Sequence, residues 1–118
     1  MNNDIHTPIC PVCETDFNFG LNPSMHEVFF TRGYVQTLSA EQRMVIHTGE
    51  NIVLIHEFNR SKKECHRLAQ FREKYKLKCV ASLIEIYGLK RIMDFIELVE
   101  DMTKIKAFDQ RRLIDKVT

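Results

Sequence analysis

The stretch GENIVLIHEFNRSKKECHRL, Gly49 to Leu68, decides the fold. It sets an Asn, two His and a Cys around one apolar run and follows that run with a group of cations. Asn51 to Ile55 is short and continuously apolar, which reads as a buried strand. Ser61 with Glu64 three residues on reads as a capping box that opens a helix. A strand ending in His56 thus gives way to a helix whose first turns carry Cys65 and His66. Side chains that bind metals stand on both sides of one strand-to-helix junction.

A second group lies far upstream. In ICPVC, Ile9 to Cys13, two cysteines stand at CxxC spacing with Pro11 first inside the turn, the look of a zinc knuckle. Tetrahedral zinc takes four nitrogen or sulfur ligands, usually as two close pairs. Cys10 and Cys13 make the first pair. His56 and Cys65, nine residues apart, make the second, with His47 or His66 able to stand in. Cys79, beyond the basic helix, reads as a core residue.

At 118 residues the chain is one domain's worth, with a small core that a structural metal would help. A hydrophobic content of 44% and a charged content of 28% fit a soluble globular protein. No apolar run approaches the roughly 18 residues that span a bilayer. MNNDIHTPIC lacks the basic and apolar regions of a secretory signal. No membrane role is expected, and a reducing cytoplasm is the expected setting, where Cys pairs read as metal ligands before disulfides. The net charge of +1 is unevenly spread. Residues 1–58 carry Arg32 and Arg43 against seven acids, and 59–78 carry eight Lys/Arg against Glu64 and Glu73. Residues 79–118 balance at seven of each sign. The basic block reads either as a solvated helix face or as a phosphate-binding one.

Other elements follow from pattern. Met25 to Phe30 reads as a short strand after the punctuation of Gly20, Asn22 and Pro23, with Phe29 and Phe30 as core. Ser39, with Gln42 three residues on, caps a short helix to His47. The basic helix runs from Ser61 to Tyr75 with Leu68 and Phe71 as candidate core positions. Val80, Leu83, Ile84 and Tyr87 form a buried stripe that Gly88 ends. Ile92, Phe95, Ile96 and Val99 repeat it over 90–102, and the tail from Ile105 is amphipathic but weakly specified.

In this order CPVC, SMHEVFF, ENIVLIH and ECH resemble the HNH endonuclease motif over about residues 9–70. SLIEIYGLKRIMDFIELV is similar to the helical tail of small phage-type members. The resemblance implies an α+β fold in one domain, 1–118. A zinc-stabilised, treble-clef-like ββα-metal unit fills 9–70, further C-terminal helices pack at 79–103, and a tail follows at 104–118. It implies that Cys10, Cys13, His56 and Cys65 hold a structural zinc. His26 stands where the family places its metal ligand or its general base. Asn51 matches the Asn that holds the loop and orients the base, and His66 matches the helix His that binds the catalytic divalent ion. Where the family shows a ligand followed by a base, this chain has His26-Glu27. Either Glu27 is the base and His26 the ligand, or the register shifts and His26 is the base. The span between His56 and Cys65 is six residues longer than the family's, so Asn59, eight after Asn51, rivals His66 for the helix position.

The chemistry is coherent on its own terms. A neutral His takes a proton from water near pH 7. A divalent ion such as Mg2+ neutralises charge building on phosphate and leaving group. Lys62, Lys63 and Arg67 hold backbone phosphates without reading sequence. The expected function is metal-dependent hydrolysis of phosphodiester bonds in DNA, in the cytoplasm of the host cell for a phage-encoded protein. The alternative is a zinc-stabilised module that binds nucleic acid or protein without cutting. Oligomeric state and target are not legible.

Overall fold

Two short strands and the helices that cover them make up a mixed α+β structure. The structure, a computed structural model, describes residues 9–15, 17, 23–31, 34, 36–57 and 64–118. Strand β1 (Pro23–Glu27) pairs antiparallel with β2 (Ile52–His56), from Pro23 opposite His56 to Glu27 opposite Ile52. A two-stranded ribbon is not stable alone. Here α2 (Cys65–Phe71) and α3 (Glu73–Tyr87) pack on β2. Helices α4 (Leu89–Thr103) and α5 (Phe108–Val117) both pack on α3, and α1 (Ala40–Ile46) packs on α4. Phe30, Ile46, Ile55, Leu83, Ile92, Ile96 and Val99 fill one continuous core, with the Phe30 and Phe95 rings 5.8 Å apart, edge to face.

Local chemistry explains most boundaries. Ser39 and Gln42 form the expected capping box at α1, each side chain satisfying the other's backbone N–H. Gly88 ends α3 at φ 89°, where a side chain would be strained. Gly49, in the 3-10 turn Gly49–Asn51 that leads into β2, sits so close to α3 that a Cβ there would overlap the Tyr87 hydroxyl. The α4 stripe of Ile92, Phe95, Ile96 and Val99 is buried as read, and the tail is helical: α5 closes against α4 through Glu100. The carboxylate of Glu100 accepts from Ala107 N–H at 2.8 Å and from the Arg111 guanidinium, whose Nε lies at 2.9 Å.

Several expectations need correction. The first strand is Pro23–Glu27 rather than 25–30, because Val28 to Phe30 bend away. Asn51 belongs to the 3-10 turn rather than the strand, and Leu54 is 39% exposed within a run expected to be wholly core. The basic helix does not run on to Tyr75. Arg72 is extended (φ −114°, ψ 117°): its N–H closes α2 on the Leu68 carbonyl, and its own carbonyl accepts from Tyr75 and Lys76 N–H to open α3. With α2 packed on β2 and α3 on α4 and α5, two sets of neighbours bend the chain at a position that no Gly, Pro or side-chain cap marks. Phe71, expected in the core, is 67% exposed at that bend. Among the described residues no helix is long and apolar enough to cross a membrane.

Candidate metal centre and histidine cleft

Backbone geometry shapes the first pair of cysteines. Cys10 donates its N–H to Thr15 O at 2.9 Å, and its carbonyl accepts from Glu14 N–H at 2.7 Å. The turn needs Glu14 at φ 63°, an uncommon place for a residue with a side chain. The end of β2 brings His56 to this turn, and Cys65, first residue of α2, completes the group. The donor atoms of Cys10, Cys13, His56 and Cys65 all lie within 4.8 Å of one another, and Cys13 Sγ is 3.2 Å from His56 Nδ1. Bond lengths of about 2.3 Å to sulfur and 2.0 Å to nitrogen give a tetrahedron with edges of roughly 3.4 to 3.8 Å. The four donors fit a metal ion such as zinc.

Electrostatics point the same way. Burial raises the Cys65 thiol's pKa, and the neighbouring Cys10 and Cys13 raise it further. Three thiolates this close repel unless a cation sits among them. The Thr15 hydroxyl stands 2.9 Å from Cys13 Sγ, and the Phe17 ring packs on His56 with centroids 4.6 Å apart. Cys79 is a buried core residue, as read, its thiol pushed up to about 12 by burial and then by Cys10. Neither His47 nor His66 joins the group.

His66 belongs to a second cluster. Its ring lies edge-on to that of His26, with centroids 5.2 Å apart, although the two are forty residues apart in sequence. His26 comes from β1, opposite Val53, and is 7% exposed. Burial, then His66, then Lys76 push its pKa down to about 4, so the imidazole is neutral at pH 7 with a lone pair to offer. Glu57, directly after β2, lies with both carboxylate oxygens 3.4 Å from His66 Nδ1. A hydrogen bond from Ser24 on β1 holds the Glu57 carboxyl below its usual range, with His66 adding to the effect.

Asn51 is fully buried and acts on the loop after β1. Its Oδ1 accepts from Phe29 N–H at 2.8 Å and Phe30 N–H at 3.0 Å, and its Nδ2 donates to Phe30 O at 3.0 Å. Its backbone carbonyl accepts from Val28 N–H at 2.8 Å. Holding the loop is thus its observed role. Its side chain bonds the loop backbone rather than the His26 ring.

That loop, with His26 and Glu27 just before it, forms one wall of a cleft of about 450 Å³. Lys76 from α3 and Gln110 and Arg112 from α5 form the other walls. Gln110 Nε2 ties α5 to Phe29 O at 2.9 Å, and Glu73 binds Arg112 and Lys116 at 2.9 and 2.6 Å. The Glu27 carboxylate lies 3.8 Å from His47 Nδ1. Arg67 is exposed and lines a neighbouring hollow with Leu68, Phe71 and Arg72. Lys62, Lys63, the rival Asn59 and the expected cap Ser61 lie outside the described residues, and α2 opens at Cys65 after Glu64, which makes no side-chain cap bond.

Pattern reading missed Glu57, Lys76, Gln110 and Arg112. Glu57 had one signal, its place next to His56. The others reach the cleft only through the packing of α3 and α5, which no local pattern encodes. Compared with known proteins, the chain matches no family model, no curated protein and no solved structure.

Proposed function

We propose that the chain is a metal-dependent endonuclease of the HNH type that hydrolyses phosphodiester bonds in DNA, on a ββα unit held by a structural zinc. The observation that carries this reading is the edge-on pair of His26 and His66, joined from β1 and α2, with His26 lining the adjoining cleft. Two imidazoles, one on β1 and one on α2, with water to complete the shell, would hold a divalent ion, and a transition ion more tightly than Mg2+. Such an ion, when bound, polarises a phosphate and stabilises the leaving oxygen. The residues of the chain do the rest. The low pKa of His26 keeps its imidazole neutral and free to bind the ion as a ligand. Glu27, the next residue, lines the same cleft and takes the role of base. Asn51 fixes the loop on which the cleft depends. Lys76 and Arg112 supply phosphate contacts inside the cleft, and Arg67 supplies one beside it.

A plasmid-nicking assay tests this. The protein should cut with added Mg2+ or Mn2+, and His26→Ala should abolish cutting while zinc content and the fold stay intact. Absence of cutting by the wild type with either ion would defeat the reading.

One observation favours the second reading, a zinc-stabilised module that binds nucleic acid or protein without cutting. The cleft carries Glu27, Glu73 and Asp109 against Lys76 and Arg112, so it is not a strongly basic groove. In that case the protein would shift DNA, or bind a protein, in the same assay and leave the plasmid supercoiled.

A further inference from the structure

The two clusters are linked one residue apart along the chain. His56 is followed by Glu57, and Cys65 is followed by His66. The first members of each pair meet in the cysteine-rich group, and the second members meet each other. His66 is thereby held on two sides: the His26 ring packs edge-on at 5.2 Å, and the Glu57 carboxylate faces Nδ1 with both oxygens at 3.4 Å. A neutral imidazole carries one N–H, and an ionised carboxylate only accepts. The nitrogen facing Glu57 must therefore be the protonated one. As a stability device the contact is weak, because the Glu57 side chain is 54% exposed and such pairs contribute little. Its consequence is orientational.

We propose that Glu57 is the positioning residue of the divalent-ion site: it accepts the Nδ1–H of His66, fixes that tautomer and leaves Nε2 as the nitrogen that takes the ion. This rests on the nuclease reading above. A carboxylate behind a ligating imidazole also makes the ring a better donor, and removing such a partner typically weakens metal binding about 10- to 100-fold. Glu57 touches neither the ion nor the substrate. It acts through His66.

The test uses full-length protein carrying one zinc per chain, with Mn2+ as the probe, titrated by the electron paramagnetic resonance signal of the free ion. The wild type should bind one Mn2+ and His66→Ala should lose it. Glu57→Ala should bind about 10- to 100-fold more weakly, and Glu57→Gln less so, since an amide oxygen still accepts. Zinc content and melting midpoint should be unchanged in all of them. Long-range proton–nitrogen spectra should place the His66 proton on Nδ1 in the wild type and shift it toward Nε2 in Glu57→Ala. If His66→Ala loses the ion while Glu57→Ala keeps either the wild-type affinity or the wild-type tautomer, the positioning role is overturned and the nuclease reading stands. If Glu57→Ala loses zinc, the residue serves the structural centre and the proposal fails. If the wild type binds no Mn2+, or His66→Ala binds it equally well, both readings fall together.

Discussion

Asn51 is the residue on which the loop after β1 depends. Its side chain satisfies two buried amides and one carbonyl of Phe29 and Phe30. Replacing it by Ala leaves those groups without partners in a dry interior, at a cost of about 2 to 4 kcal/mol. Urea unfolding should show that loss with the zinc still bound. Asn51→Asp should do nearly as badly, because the carboxylate keeps the two accepted bonds but can no longer donate to Phe30 O. The sequence made Asn51 a candidate through its place in the ordered motif. It did not show which atoms Asn51 holds, since Phe29 and Phe30 are more than twenty residues away. The same limit applies to Glu57, whose contact with His66 joins the end of β2 to α2 across nine residues of sequence.

At the scale of elements, periodicity was a good guide wherever one face alone met the core. The α3 and α4 stripes and the Ser39 cap of α1 were legible for that reason. It failed at Arg72, where the bend answers to neighbours from two directions, and it left the tail undecided. What settles α5 is the bond set around Glu100. Arg111 holds that carboxyl at about 2, well below the usual carboxylate range, with Ala107 N–H helping. A depressed carboxylate stabilises the fold above its unfolded pKa, and that stability is lost as pH falls through the folded one. Between about pH 4.5 and pH 2 the fold should therefore lose up to about 3 kcal/mol from this group. Glu100→Gln should flatten that part of the stability–pH curve and loosen α5 at neutral pH. Denaturant melts at stepped pH, with hydrogen exchange at 107–117, would read both.

For the molecule as a whole, metal and core divide the work. Among the described residues the 9–71 region offers a two-stranded ribbon, one short turn and two seven-residue helices, and its Phe30, Ile46 and Ile55 join a core built mainly on α3, α4 and α5. A structural zinc contributes on the order of 10 kcal/mol in small domains, comparable with the whole stability of one. Stripping the metal with a strong chelator should release the 9–70 region and keep part of the helical signal in circular dichroism. Cys10→Ser or Cys65→Ser should mimic it. Retention of a sharp native transition without metal would show that the four donors are not a structural centre.

The two clusters stand out of step by a single peptide unit, His56 with Glu57 and Cys65 with His66. Altering a side chain at one of these positions touches one cluster. Altering the length of the chain touches both, because one residue removed from β2 would turn Glu57 toward the thiols and draw His56 back into the ribbon. Indels, rather than point substitutions, are the changes this stretch of the protein is least able to absorb.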